Sequence, residues 1–174
     1  RVELMGQTVE EKRFQYLMLH KPAGLLTAAR DSRAPTVMQL LPESCARRKV
    51  LPVGRLDKDT TGLLLLTNDG ELAHRLLSPK RHVWKTYEAA VTGRLTAADS
   101  QAFERGIVLS DFTALPARME ILSAGEDESR ARVQVREGKF HQIKRMFEKV
   151  GSEVLYLKRI SFGSLTLDET GAGE

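Results

Sequence analysis

Asp57 sits in a polar loop, Gly54-Arg55-Leu56-Asp57-Lys58-Asp59-Thr60-Thr61-Gly62, directly ahead of four consecutive leucines, Leu63 to Leu66. The loop pins a carboxylate to a segment that reads as a buried strand, and a rigid scaffold under a loop is where binding and catalysis concentrate. Asn68-Asp69-Gly70 closes the stretch with turn chemistry. Asp57, Asp59, Thr61 and Gly62 imitate the opening of a calcium-binding EF-hand loop. Such a loop requires a bidentate Glu at its last position, but Asn68 stands there and the leucines occupy ligand positions. Calcium is excluded on those grounds. Asp, Lys, Thr and Gly also make ordinary turns, so the loop alone does not define an activity.

Further residues could work with Asp57. A carboxylate acts as a nucleophile only when ionised, and burial alone disfavours that form, so a cation should stand beside it. Lys144 and Arg145 lie on a segment with helical periodicity. Successive helix residues point about 100° apart, which gives the two cations different tasks. Lys144 equally suits a surface pair with Glu148, four residues on. Tyr87, between Thr86 and Glu88 on a strand-like run, presents a flat ring suited to a base or to a core. Basic groups recur at Arg47-Arg48-Lys49, at Lys80-Arg81, and at Lys85. Lys21 stands beside the turn Pro22-Ala23-Gly24, where it could meet a phosphate.

The elements that must position these groups follow from patterning. Gln15–His20 reads as a strand. Ala34–Leu41 predicts a short helix ended by Pro42. Leu63–Thr67 predicts a strand buried on both faces, and Glu71–Leu77 a helix capped by Asn68 or Asp69 with Leu72, Leu76 and Leu77 inward. Trp84–Thr92 reads as a strand, and Thr96 with Asp99 as a helix start leading to Gly106. Val108-Leu109, Ala117–Leu122 and Ala131–Val135 read as strands, the last alternating with Arg130, Arg132, Gln134 and Arg136. Phe140–Val150 carries Ile143, Met146, Phe147 and Val150 on one stripe and ends at Gly151, a helix. Val154–Ile160 and Ser164–Leu167 are the final strands. Strands outnumber helices and lie close in sequence, which predicts an α+β fold with a mostly antiparallel sheet.

The chain has 174 residues, enough for one substantial core, and carries 27 Lys and Arg against 23 Asp and Glu. This mildly basic balance fits a nucleic-acid partner if the cations cluster. The single Cys45 excludes an internal disulfide framework, and the four histidines show no zinc spacing. No apolar run approaches the roughly 18 residues of a membrane span. A cytoplasmic monomer is expected.

Four motifs in order are similar to those of the bacterial rRNA pseudouridine synthases of the RsuA family: Leu19-His20-Lys21-Pro22-Ala23-Gly24, then the Gly54–Leu63 stretch, Lys85-Thr86-Tyr87, and Glu137-Gly138-Lys139-Phe140-His141-Gln142-Ile143-Lys144-Arg145-Met146. The resemblance runs from about Phe14 to Leu167. It implies the pseudouridine synthase fold, a bent mixed sheet with helices packed on it and a central RNA cleft. It further implies uridine-to-pseudouridine isomerisation with no cofactor and no metal, Asp57 as nucleophile, Tyr87 stacking on a flipped base and Lys144 beside Asp57. Arg55, Lys21, Arg47, Arg48, Arg81, Lys85 and Arg145 become the expected RNA contacts, while His141 and Gln142 are expected to cap or shape the site. The partner is ribosomal RNA or an assembly intermediate. The Phe140–Phe147 form is similar to the small-subunit (16S) enzyme, whereas large-subunit relatives tend to carry Asn-Arg before the basic pair. The family usually has an upstream S4-type RNA-binding domain, so residues 1–13 are expected to be its remnant or a linker, residues 14–174 the catalytic domain, and Gly171–Glu174 a truncated tail. A non-catalytic RNA-binding assembly module is the rival reading, and it would have no need of Asp57, Tyr87 and Lys144 together.

Overall fold

The computed structural model describes residues 14–167 and, upstream, the backbone of two short strands, β1 (Val2–Leu4) and β2 (Gln7–Val9), which pair antiparallel with each other. The expected tail at Gly171–Glu174 and most of the expected upstream remnant lie outside the described residues. The elements that follow are β3 (Tyr16–Lys21), α1 (Glu43–Arg47), β4 (Leu51–Pro52), β5 (Thr61–Thr67), α2 (Gly70–Leu77), β6 (Lys85–Thr92), α3 (Ala97–Arg105), β7 (Arg118–Ala124), β8 (Glu128–Val135), α4 (Gln142–Lys149), β9 (Val154–Phe162) and β10 (Leu165–Thr166). Two 3-10 turns, Val37–Leu40 and Pro79–Arg81, complete the list among the described residues. The sheet order is β3-β5-β9-β6-β8-β7, with β4 on β5 and β10 on β9. Every pairing is antiparallel except β5 with β9. The expected α+β class with a mixed, mostly antiparallel sheet is what forms.

β5 is the anchor of one half of the sheet. Leu63, Leu64 and Leu66 are fully buried and Leu65 nearly so. Because side chains alternate across a strand, burial of all four requires cover on both faces, as the leucine run predicts. Leu64 and Leu66 enter the main core with Phe103, Met146, Phe147 and Val133, while Leu63 packs with Phe162 and Leu167. At roughly 1.5–3 kcal/mol per fully buried leucine, this one strand supplies hydrophobic burial on the scale of a domain's entire net stability. Phe103 of α3 meets Phe147 of α4 with ring centroids 5.0 Å apart.

Some expectations shift. The helix predicted at Ala34–Leu41 shortens to a 3-10 turn, capped by the Thr36 side chain on Met38 N. Pro42 ends that turn and also stands as the N-cap of α1, a helix the pattern did not announce. Asp69, not Asn68, caps α2 by accepting from Leu72 N. Leu76 of α2 packs on the Leu63 side, but Leu77 stays 44% exposed. The pair Val108-Leu109 makes one isolated bridge, Val108 with Thr113, around a tight turn closed by Leu109 N on Phe112 O. The Thr96–Asp99 capping box forms at the head of α3.

β5 and β9 touch through only two register pairs, Thr61 with Lys158 and Gly62 with Arg159. Gly62 has φ +110°, and a Cβ there would lie 2.1 Å from Arg159 O and 2.5 Å from Arg159 N. The obstruction is backbone, which cannot rotate away. Gly62→Ala is therefore expected to cost more than about 3 kcal/mol, read from urea unfolding; a loss below about 1 kcal/mol would show that the joint tolerates a side chain.

Candidate active site

The loop from Arg55 to Thr60 is held from beneath by the turn after β3. Lys21 is fully buried, and its Nζ donates to the carbonyls of Pro22 and Lys58 at 2.9 Å and of Thr60 at 2.8 Å. Gly24 N donates to Lys58 O as well. Thr27 grips Leu56 from both sides: its hydroxyl donates to Leu56 O at 3.0 Å and accepts from Leu56 N at 3.3 Å. Thr60 N returns to Asp57 O, closing the turn that carries the carboxylate. The expectation that Lys21 contacts phosphate is corrected here. Its three donors are consumed by loop carbonyls inside the protein, so it fixes the conformation of the Asp57 loop. Burial pulls its pKa down to about 8, with the charges of Asp59 and Asp57 pulling upward.

Asp57 faces α4 across the cleft. Lys144 Nζ lies 3.6 Å from its Oδ2, and His141 Nε2 lies 3.4 Å from its Oδ1. All three side chains are partly exposed, at 31% for Asp57, 28% for Lys144 and 40% for His141. Of the two partners that the sequence left open for Lys144, the fold puts Asp57 within ion-pair reach. α4 begins at Gln142, later than the pattern predicts, because His141 takes a left-handed conformation, φ 48° and ψ 33°. A non-glycine residue in that region is strained and tends to be held there by its surroundings. The bend turns the imidazole to Asp57 and leaves Phe140 stacked on it, centroids 3.8 Å apart and Phe140 75% exposed. His141 makes no cap hydrogen bond, and its side chain stands beside Asp57 instead. Gln142 does the local structural work, its Oε1 accepting from Lys139 N at 3.1 Å.

Tyr87, on β6, is 9% exposed and forms part of the wall of the same cleft. The cleft lies between the Asp57 loop, the stretch from Val135 to Lys144 and Leu157. Asp57, Tyr87, Lys144 and Arg55 thus meet around one cavity, although they come from three separate stretches of chain. Arg55 is exposed on its rim.

The other expected RNA contacts divide. Arg47 and Arg81 are exposed, and Arg48 is half-buried with its carbonyl bound by the Asn68 amide. Arg145 is engaged by Asp111, an ion pair that lowers the carboxyl pKa and raises that of the guanidinium; a phosphate would have to displace that carboxylate. Lys85 lies mostly inside, over the Phe162 ring, not on the open surface. Sequence reasoning missed two residues here. Arg159 is 2% exposed, its Nε donates to Leu63 O at 2.8 Å, and its guanidinium rests 4.8 Å from the Phe162 ring. An arginine inside a strand gives no pattern that separates it from a surface one. Phe140 is the other; an exposed aromatic inside an amphipathic run was the available signal.

A mobile loop would not hold a carboxylate opposite a lysine on another element, and the comparisons agree with the reading this geometry invites. The model for RNA pseudouridylate synthase matches residues 15–149. The "Uncharacterized RNA pseudouridine synthase YtzG" of Bacillus subtilis is 46% identical over 96% of this chain and 70% of its own length. The "Ribosomal large subunit pseudouridine synthase B" of the same organism is 38% identical over 99% of this chain and 71% of its own. The "Ribosomal small subunit pseudouridine synthase A" of Vibrio cholerae is 39% identical over 97% and 72%. A crystal structure of a pseudouridylate synthase superposes with TM-score 0.86 at 38% identity, covering 95% of this chain and 70% of that one. The chain belongs to the RNA pseudouridine synthases and has their fold. It is an isomerase that converts uridine in RNA to pseudouridine.

Replacing Lys21 with Met keeps the volume but removes the donors from three buried carbonyls. A loss of about 2–4 kcal/mol is expected, together with loss of turnover. The salt dependence of RNA binding should not change, because a lysine that touches no phosphate releases no counterion; a slope lowered by about 0.7 for single-stranded RNA would restore the phosphate-contact role. The pH dependence has a definite sign. Below about pH 8 both folded and unfolded chains hold the Lys21 proton and the full burial cost is present. Between about 8 and 10.5 only the unfolded chain holds it, so this group makes stability rise with pH. Urea midpoints across that window should rise less in Lys21→Met than in the wild type.

Proposed function

We propose that the protein isomerises specific uridines of ribosomal RNA, with Asp57 as the nucleophile and the target base flipped into the cleft against Tyr87. The observation that carries this is the Asp57 carboxylate standing 3.6 Å from Lys144 and 3.4 Å from His141 at a cleft walled by Tyr87. The reaction breaks the bond from ribose C1′ to N1 of uracil, turns the base and joins C5 to C1′. N1 gains a proton and C5 loses one, so no atom or electron is exchanged overall. An ionised carboxylate facing C1′ serves direct attack and assisted elimination alike, and both need the negative charge that Lys144 stabilises. The flat face of Tyr87 retains uracil while it is detached, and its hydroxyl helps to remove the C5 proton. Flipping brings the base out of the RNA stack, and Arg55 on the rim fills the gap or meets the backbone. Arg47 and Arg81 extend the cationic surface for phosphates. The names of the two ribosomal relatives support ribosomal RNA as the substrate.

Small-subunit RNA is our first choice, supported by the Phe140–Phe147 form of the third motif. Large-subunit RNA is the second reading, and the large-subunit relative of nearly equal identity favours it.

Tritium release from RNA carrying 5-tritiated uridine tests the chemistry and the substrate together. Small-subunit transcripts or assembly intermediates should release label, and large-subunit transcripts should not. Asp57→Asn should abolish release while RNA affinity stays within about threefold of the wild type; normal turnover by this variant would remove Asp57 from the mechanism. Lys144→Met should lower kcat by about 10²–10³ with little change in KM. If Lys144 only bound RNA, KM would rise and kcat would hold.

A further inference from the structure

A second cavity adjoins the catalytic cleft. It shares Glu137, Gly138 and Lys139 with the cleft, so the two are separated by three residues of chain. Its lining includes the apolar side chains of Leu76, Leu77, Val83 and Phe112. The same lining carries Lys85 and Arg136, with Lys139 shared with the cleft. Lys85 is 8% exposed, and its Nζ lies 3.4 Å from the point that a Cβ on Gly138 would occupy. The ammonium is thus at the divider. Around it stand the Phe162 ring at 5.4 Å, the Arg159 charge, which opposes it, and the Glu137 charge, which favours it. Glu137 is itself committed, its Oε2 accepting from Leu115 N at 2.5 Å. Burial and Arg159 pull the Lys85 pKa down to about 8. Arg136 packs 5.0 Å from the Trp84 ring, with Arg118 at 4.9 Å from the same ring, and its buried Nε has no hydrogen-bond partner. A buried lysine and a half-buried arginine whose Nε lacks an acceptor are costly, and an incoming anion offsets that cost.

We propose that this cavity is a subsite for a nucleotide flanking the target uridine, its base lying on Leu76, Leu77, Val83 and Phe112 and its phosphate taken by Lys85 and Arg136. A lining that combines apolar side chains with cations matches a base joined to a phosphate, and the common wall at Glu137–Lys139 lets one RNA strand occupy both cavities. Gly138, exposed and without a Cβ, leaves that crossing point low. The subsite rests on the synthase reading of the cleft and adds a determinant of sequence context beside it.

The test uses the full chain and two probes, uridine 5′-monophosphate and the trinucleotide pUpUpU, titrated by calorimetry, with tritium release from the transcript measured alongside. Two variants lie outside the catalytic cleft: Thr113→Trp, from an exposed residue on the second cavity's wall, fills the space, and Arg136→Gln removes a charge. The wild type should bind the trinucleotide about tenfold or more tighter than the monophosphate, the scale of one added base contact. Each variant should bring that ratio below about threefold, leave monophosphate binding unchanged and raise KM at constant kcat. A wild-type ratio near one, or a ratio unchanged in both variants, overturns the subsite while tritium release keeps the synthase reading intact. Absence of both probe binding and tritium release in the wild type overturns the synthase reading, and the subsite with it.

Discussion

The contact between Gly62 and the backbone of Arg159 is the constraint on which the remaining architecture depends. β5 and β9 are parallel neighbours through two register pairs only. The strands on one side, β3, β4 and β5, and those on the other, β9, β6, β8 and β7, are joined there and share a hydrophobic core. Gly62 ends the Asp57 loop, and β6, which carries Tyr87, is the next strand beyond β9. Close approach at Gly62 therefore sets how far the carboxylate stands from the tyrosine. Arg159 seals the junction from the side-chain direction as well, by donating to Leu63 O from a buried position. A position that must be glycine for contact and for φ, beside an arginine that must be buried, leaves the joint little freedom to drift.

Buried cations do unusual structural work in this molecule. Lys21, Lys85 and Arg159 are each more than nine-tenths buried, although Lys and Arg seldom are. Lys21 resolves the cost by giving its donors to three carbonyls, which converts a charge into a clamp on the loop. Arg159 resolves it in part through Leu63 O and the Phe162 ring, and its Nη2 remains without a partner. The basicity of this chain is consequently divided between scaffold and surface, and net charge alone overstates the cationic face that it offers to RNA.

Around Asp57 the fold separates neighbouring residues by function. Lys144 and Arg145 are adjacent, yet one reaches Asp57 and the other Asp111, because the helix turns about 100° between them. The left-handed turn at His141 delays the start of α4 and adds a second group at the carboxylate. Strain at one residue is set against a site in which a charged side chain faces a lysine and an imidazole at once, and the Phe140–His141 stack holds the turn.

The sequence by itself determined the α+β class, the buried leucine strand, the main helices with the Thr96–Asp99 box, and the residues that gather at the cleft. These were legible because they rest on local periodicity, on caps, and on motifs whose order matches a known family. Only the tertiary structure decided the rest. Whether a lysine clamps a loop, as Lys21 does, or meets solvent depends on which carbonyls the fold delivers to it, and no local pattern encodes that. α1 was hidden because Pro42 both stops one turn and starts the next. The choice of Asp57 over Glu148 for Lys144, the burial of Arg159 and the cavity beside Gly138 all depend on contacts between residues tens of positions apart, and such distances are fixed by how the two halves of the sheet meet at Gly62.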